Sequence, residues 1–294
     1  MKLLITGGCS FSAGKEHSGW TREITKRFLK LNPNLTFNHT GYYSQGQELI
    51  QKKTTLAIVE ALDNGIDPKE ILVSIMWSGT HRKAWFIDNK SIIKEMMRGM
   101  KLFSGGMCNQ FLDLKNQMSG TPEFFYTSNN SKFEYNPDGG WYFTVDGSES
   151  NMEFVKDHYM LDQHLSGPGK THISLENIVM LTNFCRLKNI KLVHQFFMDM
   201  PYQDIEQNKD HQIINYLYKQ LEKDNMIFNG MFDYLHQFLN VPREQARFIS
   251  HSERIRLDSN RGYFSNDGFH PGEHGSKVYC ENILFPFLES KGYL

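Results

Sequence analysis

The sequence predicts an α/β chain, a mostly parallel sheet wrapped by helices, and three observations carry that prediction. Strand-like and helix-like segments alternate through about the first eighty residues. A short apolar run, Leu3-Leu4-Ile5, drops straight into the small-residue turn Gly7-Gly8-Cys9-Ser10. Regular alternation then returns in the C-terminal half and closes on an amphipathic helix. Parallel strands need crossover connections, usually helices, so this rhythm is what such a sheet requires.

Taken in order, Lys2–Ile5 reads as a short buried strand. Trp20–Leu31 carries Trp20, Ile24, Phe28 and Leu31 on one helical face and ends at Asn32-Pro33-Asn34. Leu35–His39 alternates like a strand. Gln47–Leu62 is helical through Leu49, Ile50, Leu56, Ile58 and Leu62, and stops at Asn64-Gly65. Ile71–Trp77 is a fully apolar strand apart from Ser74. Residues 83–170 then break the rhythm with Gly-Gly pairs, Pro137-Asp138-Gly139-Gly140 and many aromatics. This stretch reads as an insertion in a single domain spanning 1–294, a lid or substrate-binding element. It is expected to be helical near Ser91–Leu102, with a hairpin strand at Gly140–Val145. Regularity resumes with a helix at Leu175–Leu187, a strand at Ile190–Phe197, and helices at Gln212–Leu221 and Ser276–Leu288.

Composition bounds the function. The 32 Lys and Arg nearly cancel the 33 Asp and Glu, for a net charge of −1, so no overall basic field exists to gather nucleic acid. No apolar run is long enough to span a membrane. The N-terminal apolar run is too short for a secretory leader, which predicts a cytoplasmic protein. The four cysteines are scattered without paired spacing, as expected of reduced thiols rather than a disulfide frame or zinc site.

The Gly7–Glu16 segment is the first candidate for chemistry. A phosphate loop needs glycine five residues before Gly14-Lys15 and a hydroxyl after it; Cys9 and Glu16 stand there instead. The dinucleotide fingerprint fails at Ser10 and Ala13. A nucleophile fits better: a serine in a tight turn after a strand exposes its hydroxyl, and its own N–H can serve an oxyanion. Near the far end, Asp267 and His270 lie three apart in a turn with Gly268 and Pro271. A carboxylate so spaced can hold one imidazole nitrogen and leave the other to take a serine proton.

Gly8-Cys9-Ser10-Phe11, with Gly14 and Trp20, resembles the first block of the SGNH (GDSL-type) hydrolase superfamily, with cysteine replacing the aspartate of G-D-S. Asp267-Gly268-Phe269-His270-Pro271 is similar to its D-x-x-H-P block. Ser44-Gln45-Gly46-Gln47 resembles the second block, and Ile75 through Arg82 falls where the third belongs. The resemblance implies a three-layer α/β/α, flavodoxin-like fold. It also implies a Ser10–His270–Asp267 triad with an oxyanion hole from the Ser10 and Gly46 N–H groups. The third block lacks the family's G-x-N-D asparagine, so Ser78 or Thr80 is the expected third donor, with His81 also able to donate. Trp77, His81 and Arg82 are expected to meet the substrate, a small-molecule or saccharide acyl ester, with O-acetyl groups as the favoured class. No metal or cofactor is needed. The missing asparagine also motivates an alternative, a saccharide-binding or assembly protein without turnover.

Two other patterns carry less. His270-Pro271-Gly272-Glu273-His274 spells a zinc-peptidase pattern, but Pro-Gly interrupts the helix that would have to present both histidines. Phe124-Phe125-Tyr126 and Trp141-Tyr142-Phe143 suit sugar stacking, and suit packing of the insertion better.

Overall fold

The computed structural model describes residues 1–12, 19–41, 46–79, 83–88, 103–107, 140–145, 167–259 and 261–294. The expected helix at Ser91–Leu102 lies outside them. Four parallel strands form the main sheet: β1 (Leu3–Gly8), β2 (Thr36–His39), β3 (Ile71–Trp77) and β7 (Lys191–Phe196), in the order β2-β1-β3-β7. A single parallel bridge from His194 to Met226 lies beyond the last of them. Strand β1 runs past the expected Ile5, because Thr6, Gly7 and Gly8 still pair with Ser74, Ile75 and Met76, and that ladder needs only backbone.

The helices are α1 (Trp20–Leu31), α2 (Gln47–Asp63), α3 (Gly167–Lys188), α4 (Met200–Asn208), α5 (Gln212–Tyr218), α6 (Met231–His236), α7 (His251–Asp258), α8 (Glu273–Tyr279) and α9 (Phe285–Ser290), the last two joined by a π-helical stretch, Cys280–Leu284. Side chains of a strand alternate between faces, and the core follows that alternation. Leu3, Ile5, Ile71, Val73, Ile75, Leu192 and Phe196 join a cluster with Ile50 and Ile58 of α2 and Leu175 and Ile178 of α3. Leu4, Leu72, Met76 and Val193 join a second cluster with Trp20, Ile24 and Phe28 of α1, Leu235 of α6 and Tyr279 of α8. The sheet is thus the middle of three layers, α/β/α.

Within the segment read as an insertion, β4 (Lys83–Asp88), β5 (Phe103–Met107) and β6 (Gly140–Val145) form an antiparallel sheet in the order β4-β6-β5. Among the described residues no helix is long and apolar enough to cross a membrane.

Trp77 departs from expectation. It has no exposed surface and belongs to the core, not to a substrate surface. Its indole N–H donates to His194 Nδ1 at 2.9 Å, so the proton of this imidazole is on Nε2, 3.0 Å from Thr182 Oγ1, whose hydroxyl donates to the Ile178 carbonyl at 2.8 Å. Burial draws the His194 pKa down to about 3, so the ring is neutral and the chain of donors is complete.

Candidate active site

Chain order and sheet order determine where a site can form. From β1 the chain moves outward to β2 and then returns to the other side of β1 as β3. Loops leaving the carboxyl ends of β1 and β3 therefore diverge and open a crevice, the usual place for ligands in such sheets. The Ser10 turn and Ser78 leave those two ends.

The Ser10 turn is tight. Ser12 N–H donates to the Cys9 carbonyl at 2.8 Å, which puts Ser10 and Phe11 at the two corners. Gly8, at φ 150°, permits it, since a Cβ there would lie 2.6 Å from the Met76 carbonyl oxygen and against the Ser12 hydroxyl. Cys9 points into the apolar cluster around α1, fully buried, where an aspartate would be an unpaired charge. Of the two serines, Ser12 is committed: it is fully buried, accepts the Trp20 indole N–H at 3.0 Å, and its carbonyl accepts the Thr21 hydroxyl at 3.3 Å. Ser10 keeps partial exposure.

The far turn is built around one carboxylate. Asp267 Oδ1 accepts from the Ser265 hydroxyl at 2.6 Å and from the Phe269 and His270 backbone N–H groups at 2.8 and 2.9 Å. Its Oδ2 meets His270 Nδ1 at 2.5 Å. Partial burial pushes the Asp267 pKa up, but these hydrogen bonds outweigh it and hold the carboxyl well below the usual carboxylate range. An ionised Asp267 can only accept, so the ring proton sits on Nδ1 and is donated to Oδ2, which leaves Nε2 with its lone pair. That Nε2 is buried and has no hydrogen-bond partner among the described residues, Ser10 included.

Phe11 brings the two turns together. Its ring packs edge-on against Phe269 at 5.4 Å and Phe197 at 5.1 Å, and at a tilt against the His270 imidazole at 5.4 Å. Residues some 260 positions apart in the chain thus become neighbours at the residue after Ser10.

Gly46 is buried at the N-cap of α2, in extended backbone at φ −79° and ψ 168°. The next residue, Gln47, donates its amide to the Ser78 carbonyl at 2.8 Å and accepts the Ser174 hydroxyl, tying the second expected block to the third. Ser78 is fully buried. Ser44, Thr80, His81 and Arg82 lie outside the described residues. The residues of the zinc-like pattern have separate partners: His270 holds Asp267, Glu273 pairs with Arg22 at 3.3 Å, and His274 packs on Tyr263 at 4.8 Å.

One part of this region has no signature in the sequence. Arg254 and His236 are both almost fully buried; Arg254 donates to the Gly268 carbonyl of the Asp267 turn, and His236 accepts the Arg254 Nε–H at 2.7 Å. Helix α7 buries only Arg254 and Asp258, so hydrophobic periodicity does not mark it; His236 ends a helix that buries Met231, Phe232 and Leu235, a pattern that marks the helix but not the histidine.

No family model matches the chain, and no curated protein matches it either. Among solved structures, the crystal structure of TesA aligns over 98% of this chain and 99% of that one, at 12% identity and a TM-score of 0.37, a likeness too low to carry an argument.

Proposed function

We propose that this chain is a serine hydrolase that cleaves an acyl ester, with O-acetylated saccharides as the favoured substrate class. The carrying observation is the Asp267–His270 pair: a carboxylate kept ionised, an imidazole bound through Nδ1, and a free Nε2 beside the turn that carries Ser10. In this reading Ser10 Oγ attacks the ester carbonyl as its proton passes to His270 Nε2. Asp267 orients the ring and stabilises the imidazolium. The Ser10 and Gly46 N–H groups receive the oxyanion, with a third donor from Ser78 or Thr80; a donor of this kind is worth about 10²–10³ in rate. His270 then gives its proton to the leaving alcohol, and a water activated by the same nitrogen releases the acyl group. His81, Arg82 and the 83–170 insertion are assigned to substrate recognition. The chemistry calls for no metal or cofactor.

Fluorophosphonate labelling with intact-mass and peptide analysis tests this. The expected result is a single adduct on Ser10 that His270→Ala loses. Absence of an adduct on folded protein overturns it. A second reading is favoured by the missing Ser10–His270 hydrogen bond: a saccharide-binding protein without turnover. It requires glycan binding that survives Ser10→Ala.

A further inference from the structure

Helix α7 holds the Asp267 turn at both ends. At one end, Asp258 accepts the Tyr263 and Phe264 backbone N–H groups at 3.3 and 3.2 Å, just where the segment leading to the turn begins. At the other, Arg254 Nη1 donates to the Gly268 carbonyl, one residue from Asp267. Arg254 is 2% exposed, and its remaining bonds also go to neutral acceptors: Nη2 to the Ala246 and Ile249 carbonyls at 3.1 and 2.9 Å, and Nε to His236 Nε2 at 2.7 Å. His236 can accept because its own proton sits on Nδ1, bonded to the Phe232 carbonyl at 2.8 Å. The guanidinium also lies 4.6 Å from the centre of the Phe232 ring and 5.6 Å from that of Phe264.

None of these partners is a carboxylate. A buried cation without a directly bonded anion is costly, by several kcal/mol, and neutral donors would satisfy the same carbonyls. The carboxylate whose charge reaches Arg254 is Asp267. The cation therefore lies beneath the one anion that the proposed chemistry uses, and grips the backbone next to it.

We propose that Arg254 is a positioning residue: by holding the Gly268 carbonyl it keeps Asp267 on His270 Nδ1 and so leaves Nε2 to Ser10, with His236 orienting the guanidinium. This rests on the hydrolase reading for its purpose, while the contact itself can be tested without activity.

Two readouts separate the cases. The His270 Nδ1 proton shared with Asp267 should give a low-field NMR resonance, assigned by its loss in Asp267→Asn. In Arg254→Gln that resonance should move upfield or disappear. The maximal rate of Ser10 labelling should fall by about 10²-fold, with the half-saturating probe concentration unchanged, and Arg254→Lys should recover part of both. A folded Arg254→Gln with the wild-type resonance and maximal rate overturns the proposal. If Arg254→Gln does not fold, the reverse experiment decides: Asp267→Asn, at a more exposed site, should shift the Arg254 Nε–H resonance, and an unmoved resonance overturns it. A wild type that never labels defeats the hydrolase reading alone, since the two resonances still report whether Arg254 holds the pair.

Discussion

Gly268 shows how much one residue can decide. It has φ 65°, and a Cβ there would lie 2.9 Å from Ile255 Cγ1 and closer still to the His251 carbonyl. Gly268→Ala should cost about 1–3 kcal/mol, read by urea denaturation, and should slow Ser10 labelling because the displaced turn carries Asp267. Asp267→Asn is the complementary change: it keeps the shape and loses the anion that sets the His270 tautomer. Its maximal labelling rate should fall by about 10³–10⁴-fold, with the adduct still on Ser10. Trp77→Phe should behave in the opposite way. It strands the His194 Nδ1 acceptor in the core at a cost of about 1–3 kcal/mol, yet labelling per folded molecule should stay at the wild-type rate. A labelling defect without a stability defect would return Trp77 to the substrate surface.

At the scale of elements, agreement with the sequence follows how much apolar surface an element buries. Trp20–Leu31 and Ile71–Trp77 are found with the expected bounds, because each presents a periodic apolar face to one layer or two. Helix α3 starts at Gly167, well before Leu175, since Gly-Pro-Gly reads as a turn although proline is well tolerated in a first helical turn. Helix α7 has no such signal: the residues it buries are Arg254 and Asp258. Its formation rests partly on Ser250, whose hydroxyl accepts the Glu253 N–H at 3.2 Å. Ser250→Ala should therefore cost about 1 kcal/mol by thermal or urea denaturation. A loss of labelling larger than that stability change would show that α7 positions the site as well as packing against it.

For the whole molecule, acid stability depends on histidines buried in neutral form. Burial lowers the His194 pKa to about 3; burial, with the Arg254 charge beside it and the Phe232 carbonyl opposing, lowers that of His236 to about 4. An unfolded chain takes up both protons near pH 6.5, whereas the folded chain refuses them until about pH 4 and below. Falling pH therefore favours the unfolded state across that window, by up to ~1.4 kcal/mol per pH unit for each histidine. The urea midpoint should drop steeply between about pH 6 and pH 4.5. A flat profile there would mean that these rings are accessible and charged.

The sequence by itself determined the parallel α/β architecture and the two short blocks around Ser10 and His270, because strand alternation, helix faces and turn chemistry are local properties of neighbouring residues. Only the tertiary structure decided that Ser12 is held inside, because the Trp20 indole N–H donates to its hydroxyl. It also decided that Trp77 is core, because His194 lies 117 residues away in the chain and meets it only across the sheet. The contact of Phe11 with His270 and the Arg254 contact under Asp267 belong to the same class. Each joins groups from different segments of the chain, and which of them meet follows from how the layers pack, not from any spacing along the chain.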